Sequence, residues 1–428
     1  MGRGVLKIVF LALLLQFQGL QAFGQEENTI DKIKPLYRPL ARMFSVSPEQ
    51  YPTEGNTVHV ITDGLEKLDL LGVDMMEAKD YIHMEYFEFF RDPGSRLVRM
   101  AMNLRGEDSL EVRYIVEDFM DLTKSVNYFG SMKKHGVEVG HYSLLRLNRR
   151  NHQKIVVIDG KVGYTGGMNI GNHYFYAWDD THLRLTGPCV ESLEGHFQRL
   201  WDLSGGKKKP SVATSTIDEM VGEKGSPSPD STYTRRDTDS EYDVHNDAIV
   251  QIVASHPGKS HMIMDGYIWL LDNCEDYILL QTPYFTPPKQ VREAMKRAVE
   301  RGVEVSLVIP EKSDMHIVDP ANKSYYKECL ENGVKIYQSS GKFNHSKLFV
   351  CDDYVSSVGS ANVDGRSMKI NHELNTYMYD PEIAAHVKGL IQHEIDSKCV
   401  QISIEDVESW SSGRRFVNSL ARILAPQL

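Results

Sequence analysis

Asn151-His152-Gln153-Lys154-Ile155-Val156-Val157-Ile158-Asp159 has a counterpart further along the chain, Asn344-His345-Ser346-Lys347-Leu348-Phe349-Val350-Cys351-Asp352. Both read N-H-x-K-x-x-x-x-D. The match continues at equal offsets from each histidine: Gly166 with Gly359, Asn169 with Asn362, and an acid in each copy, Asp180 with Glu373. One short pattern of this kind is weak evidence. Two copies in register over about thirty residues point to one site assembled from two halves.

The residue types say what chemistry such a site supports. A neutral imidazole attacks phosphorus and an imidazolium protonates a leaving oxygen, and histidine does either near neutral pH. Lys154 and Lys347 supply cations, and Asn169 and Asn362 supply amide donors. Converging on one point, these groups would hold the non-bridging oxygens of a phosphodiester and stabilise the charge that builds on them. The Ser360 hydroxyl, opposite Gly167 in the other copy, offers one further hydrogen bond, for binding phosphate or for orienting. Asp180 and Glu373 are placed to orient the imidazoles. Residues i and i+2 of an extended segment share a face, so His152 with Lys154 and His345 with Lys347 should point into one cleft. The catalytic set expected from the two patterns is His152, Lys154, Asp159, His345, Lys347 and Asp352. No metal and no other cofactor is expected, because lysine and asparagine already supply the phosphate donors.

Outward from the motifs, the chain repeats itself. Asp80-Tyr81-Ile82 recurs as Asp276-Tyr277-Ile278, and Gly136-Val137-Glu138-Val139 as Gly333-Val334-Lys335-Ile336. Glu111 and Glu304 open further apolar runs, and their separation equals that of the two histidines. The runs Ile155 to Ile158 and Leu348 to Cys351 read as buried strands. Helical periodicity falls between strands, as over Lys289 to Arg301. This predicts an α/β fold of two similar halves, each a mixed sheet flanked by helices, packed as a pseudo-twofold pair with a shared active site. The expected organisation is a signal peptide over 1–24, an N-terminal segment 25–57, one half 58–204, a polar linker 205–245, the other half 246–402, and an amphipathic tail 403–428. Tyr86-Phe87 and Tyr284-Phe285 fall near strand ends leading to the cleft, as a substrate wall or as core aromatics. His173, His182 and His196 have no partners at matching offsets and are expected on the surface or in satisfied structural roles.

The doubled H-K-D pattern resembles the signature of the phospholipase D superfamily. That resemblance implies a phosphohistidine enzyme in which one histidine attacks the phosphodiester while the other protonates the departing alcohol and then deprotonates the acceptor. Leu280-Gln281-Thr282-Pro283-Tyr284-Phe285 is similar to the Q-T-P-Y-F segment of bacterial cardiolipin synthases. So are Arg150-Asn151-His152, Gly166 to Gly171, and Trp178 with Asp180 to Arg184. In the second half, Gly359 to Asp364, Arg366-Ser367 and Asn371 to Asn375 complete the likeness, which spans roughly residues 55 to 428 apart from the linker. It implies transfer between two phosphatidylglycerols to give cardiolipin and glycerol, with His152, by analogy, as nucleophile and His345 as acid/base. A hydrolase releasing phosphatidic acid is the alternative, and a nuclease a more distant one. Many of these synthases begin with two transmembrane helices, and the beginning of this chain differs.

The rest of the composition fits an exported enzyme at a membrane. A net charge of −11 argues against broad nucleic-acid binding, which needs a basic face. Arg3 and Lys7, an apolar run from Val5 to Leu15, and small residues before Gln25 have the layout of a secretory signal peptide, and the run is too short to span a bilayer. The expected location is the periplasmic or outer face of the inner membrane. Five widely spaced cysteines give neither a disulfide framework nor a metal-ligand spacing. From Gly205 to Asp243 the chain is rich in small and charged residues, which predicts a mobile loop. Arg414, Arg415 and Arg422, interleaved with Phe416, Val417, Leu420, Ile423 and Leu424, read as a helix lying on an anionic bilayer or on the protein's own core.

Overall fold

The computed structural model describes residues 26–121, 127–142, 148–205 and 243–424. The signal-like segment and most of the polar linker lie outside them. The first half contributes β1 (Thr53–Ile61), β2 (Tyr81–Tyr86), β3 (Glu111–Glu117), β4 (Glu138–Tyr142), β5 (Ile155–Ile158), β6 (Val162–Gly166) and β7 (His182–Thr186). The second contributes β8 (Val244–Ser255), β9 (Tyr277–Gln281), β10 (Phe285–Thr286), β11 (Glu304–Pro310), β12 (Lys335–Ser339), β13 (Leu348–Cys351), β14 (Val355–Gly359), β15 (Val363–Asp364), β16 (Glu373–Tyr379) and β17 (Cys399–Ile402). The repeats found in the sequence open β2 and β9, β3 and β11, and β4 and β12. The two apolar motif runs are β5 and β13 to the residue, buried throughout because each lies inside the sheet with neighbours on both sides.

The halves form one continuous sheet of 15 strands in the order β17-β12-β11-β9-β13-β14-β16-β8-β1-β7-β6-β5-β2-β3-β4. Apart from β17, which adds antiparallel to the β12 edge, the order is a palindrome about the β1–β8 seam. That seam is antiparallel and carries two register shifts, between Thr53 and Asn56 and between Asn56 and Val58. Within each half the outer strands run parallel (β2, β3 and β4; β9, β11 and β12) and the inner ones antiparallel, so each half-sheet is mixed.

On one face a single apolar core spans both halves, joining Val58, Leu183 and Phe197 with Ile252, Leu348 and Val387. The helices Cys189–Leu203 and Pro381–Lys398, which follow β7 and β16, supply much of it. On the other face each half has its own cluster. The N-terminal segment crosses to the second half: Ile30, Ile33, Leu40 and Phe44 enter its cluster. Tyr37 stacks on Tyr354 at 5.6 Å. All five cysteines are free and four are buried. His182 and His196 are not at the surface. Both are buried, and their ring nitrogens have no hydrogen-bond partner among the described residues. Burial holds both rings neutral, His196 at about 3. His173 packs edge-on against Phe90 and Trp178.

Candidate active site

His152 and His345 sit immediately before β5 and β13, where each chain enters the sheet. Two isolated parallel bridges stitch these entries across the halves, Asn151 to His372 and Asp179 to Asn344. His152 donates its backbone N–H to His372 O at 3.0 Å, and His345 donates to Asp179 O at 2.7 Å. Each histidine is therefore held by the residue that precedes the acid of the opposite half.

The side chains repeat this crossing. His152 Nδ1 pairs with Glu373 Oε2 at 2.9 Å, and His345 Nδ1 with Asp180 Oδ2 at 2.7 Å. The sequence placed one acid at equal offset in each copy; the fold exchanges them. Beneath the rings lie two buried ammoniums. Lys154 Nζ donates to His152 O at 2.7 Å. Lys347 Nζ donates to His345 O and lies 3.0 Å from His345 Nε2.

Burial governs the electrostatics. It pushes the His152 imidazole down to about 4, against the pull of Glu373 and helped by Lys154. His345 falls likewise to about 4 through burial and Lys347, with Asp180 opposing. Burial also lowers Lys154 to about 7 and Lys347 to about 8. The acids go the other way: burial would raise Asp180 and Glu373, but their histidine and lysine neighbours outweigh it and keep both carboxylates ionised. The site thus holds neutral imidazoles over anionic acids. An arriving phosphodiester anion favours the imidazolium and raises the histidines toward working pH.

A cleft of about 480 Å³ opens over both histidines. Asn169 and Asn362 line it as expected. Asn169 donates to the Tyr174 hydroxyl at 2.7 Å, and the Asn362 carbonyl oxygen has no partner among the described residues. The strand period splits each aromatic pair. Phe87 and Tyr284 face the cleft, while Tyr86 and Phe285 enter the core. Phe87 sits edge-on to His152 at 4.7 Å, and Tyr174, Trp178, Tyr284 and Phe343 surround His345. Tyr174 lies in a π-helical turn, His173–Ala177, a distortion frequent at functional sites.

Two expected site residues act elsewhere. Asp159 and Asp352 do not reach the cleft. Each stands five residues beyond its lysine, roughly 16 Å along extended chain, at the far end of β5 or β13. Asp159 accepts the N–H groups of Lys79, Asp80 and Tyr81 at 2.7–2.9 Å. Asp352 accepts those of Glu275, Asp276 and Tyr277 and the Tyr37 hydroxyl. Both have left-handed backbone, φ 54° and 50°. They clamp one strand end to the next. Of the two roles expected of Ser360, phosphate binding or orienting, its contacts fit the second: it donates to Glu373 Oε2 at 2.6 Å and accepts from Leu374 N at 2.9 Å. The opposite position must be glycine, since a Cβ on Gly167 would lie 2.1 Å from Asp180 Oδ1. The Gly167/Ser360 difference is a packing match to a shorter and a longer acid.

Sequence reasoning missed the acids behind Asn151. Glu85 accepts from the Asn151 side chain at 3.2 Å and Glu117 from its backbone at 2.8 Å; burial raises them to about 8 and about 7. A lone acid inside an apolar strand was the available signal at both positions. The cleft position of Arg150 and Arg366, quoted only for likeness, was also missed.

Two imidazoles crossed to carboxylates over buried ammoniums bring together, in one centre, the groups that phosphodiester transfer needs. A family model described as the PLD-like domain of cardiolipin synthase matches twice, over residues 73–201 and 267–395. Cardiolipin synthase 1 of Staphylococcus epidermidis is 31% identical over 92% of this chain and 78% of its own length. Cardiolipin synthase 1 of Staphylococcus aureus is 32% identical over 95% and 80%. The chain belongs to the PLD-like cardiolipin synthase family. Among solved structures, a phosphatidylserine synthase from Haemophilus influenzae shares the fold with a TM-score of 0.65 at 13% identity, covering 87% of this chain and 95% of that one. A polyphosphate kinase from Porphyromonas gingivalis aligns at TM-score 0.55 and 11% identity, over 86% of this chain and 53% of that one.

Proposed function

We propose that this protein joins two phosphatidylglycerols into cardiolipin and releases glycerol, through a phosphohistidine on His152. The crossed imidazole–carboxylate pairs carry the reading. With Nδ1 bound to Glu373, the His152 ring presents Nε2 to phosphorus, whereas the Lys347 ammonium crowds both ring nitrogens of His345, 2.9 Å from Nδ1 and 3.0 Å from Nε2. His152 Nε2 forms the N–P bond as the P–O bond to glycerol breaks, and the His345 imidazolium gives its proton to the leaving oxygen. The second phosphatidylglycerol then loses a hydroxyl proton to His345, attacks phosphorus and breaks the P–N bond. Lys154 and Lys347 would stabilise the transferring phosphoryl oxygens. Arg150 and Arg366 remain in the same cleft, beyond what one phosphate uses, and an acceptor that itself carries a phosphate would meet them.

Both histidines are buried, so a lipid lying across them would shield the phosphoenzyme from water, which favours transfer over hydrolysis. Purified protein incubated with phosphatidylglycerol vesicles should yield cardiolipin and glycerol in equal amounts; phosphatidic acid as sole product would sink the reading. The trapped phosphoryl group should be on His152, and finding it on His345 would reverse the roles. The same reading puts the enzyme at a membrane surface after export, supported by the charged-then-apolar start of the chain, Arg3 to Leu15. A reporter active only outside the cytoplasm, fused to the C-terminus, should be active.

A further inference from the structure

The helix Ser412–Leu424 carries three arginines and no acid, with Phe416, Val417, Leu420 and Ile423 along one side. Elementary amphipathicity would turn that side inward. The structure does the reverse. Asn418 and Ala421 are the buried positions, while Phe416 is 70%, Val417 49%, Leu420 54% and Ile423 74% exposed. The polar side fixes the helix. Arg422 pairs with Glu328, donates to Ser324 O at 3.1 Å and stacks 4.4 Å over the Tyr325 ring; Arg414 stacks over Trp410 at 4.3 Å. Four large apolar side chains gathered on one outward stripe need a partner.

The position of the helix says which. It packs on the helix Val318–Lys323, directly after the loop whose Asp314 and Met315 line the catalytic cleft. Met315 and Ile317 in that loop are themselves 48% and 43% exposed, and Phe119 on another part of the cleft wall is 46% exposed. Charge narrows the partner further. Arg414 and Arg415 are exposed on the helix, which bears no acid. A cationic, outward-facing apolar helix beside the mouth of a lipid-transfer cleft complements an anionic bilayer.

We propose that Ser412–Leu424, with Met315 and Ile317, is the face that seats this protein on an anionic lipid bilayer. The apolar stripe enters the acyl boundary, Arg414 and Arg415 meet lipid phosphates, and the cleft mouth is held at headgroup level. The inference rests on the preceding reading that the substrate is a bilayer lipid.

The test is co-sedimentation of the full chain with vesicles of phosphatidylglycerol and phosphatidylcholine, and with phosphatidylcholine alone. Phe416→Ser/Leu420→Ser/Ile423→Ser should weaken binding to mixed vesicles by about tenfold or more. It should lower turnover on vesicles in step, while turnover on phosphatidylglycerol in excess detergent micelles stays within about twofold. Arg414→Gln/Arg415→Gln should weaken binding only where phosphatidylglycerol is present. Unchanged vesicle binding by the triple variant overturns the proposal. So does a wild-type dimer that the triple variant converts to monomer, because a second copy would then cover the face. If wild type binds vesicles through these residues but releases only phosphatidic acid, the docking face stands and the transferase reading falls.

Discussion

Both catalytic imidazoles are held near 4 and both lysines near 7–8, and the direction of each shift fixes a limb of the pH profile. Below about 4 His152 gains a proton and the nucleophile is lost. Above about 7–8 the lysines lose theirs, and the phosphate loses its cations. The rate at low substrate should therefore rise through the acid limb and fall through the alkaline one. Lys154→Arg, whose guanidinium stays charged where the first of the two lysines to deprotonate stood, should move the alkaline limb upward even though its peak rate drops. His152→Ala and His345→Ala should each lower turnover by about 10³-fold or more. Gly167→Ser should cost nearly as much, because its Cβ would sit on Asp180. Ser360→Gly removes only one of the hydrogen bonds to Glu373 and should cost roughly tenfold to a hundredfold. Stopped assays across pH check all of these.

At the level of strands, the motif is two devices joined end to end. Its N-H-x-K portion builds the site, with the histidine lining the cleft and the lysine buried beneath it, and its terminal aspartate clamps β5 to β2 or β13 to β9. Asp352→Ala leaves three backbone N–H groups and Tyr37 without their acceptor and should lower stability by roughly 2 kcal/mol or more. Turnover per folded molecule should stay within about twofold, which denaturant melts and active-site titration would separate. The apolar runs Ile155 to Ile158 and Leu348 to Cys351, and the repeated openings at Tyr81 and Tyr277, made these strands legible, because period and burial are local properties of the chain. The destination of a carboxylate is not local. Asp159 and Asp352 could be read as site residues because their equal spacing was visible and the turn that carries each one away was not. The crossing of Asp180 and Glu373 depends on how two distant segments meet, so the sequence showed the acids without their partners.

Over the whole molecule, the β1–β8 seam and the shared core make the halves one body, and the N-terminal segment ties itself to the second half through Tyr37. Neither half alone has a histidine with its acid. Residues 26–205 or 243–428 expressed singly should be inactive, and co-refolding the two should restore measurable transfer; activity in either fragment alone would refute the shared centre. The reciprocal pairing also has a consequence for heredity. Losing Glu373 disables the histidine of the other repeat, and losing Asp180 does the same in return. A duplicated gene usually frees one copy to drift. Here each repeat is the other's hostage, so a lesion in either acid should read as a defect in both, while Gly167 and Ser360 differ because each repeat accommodates the acid of its own half.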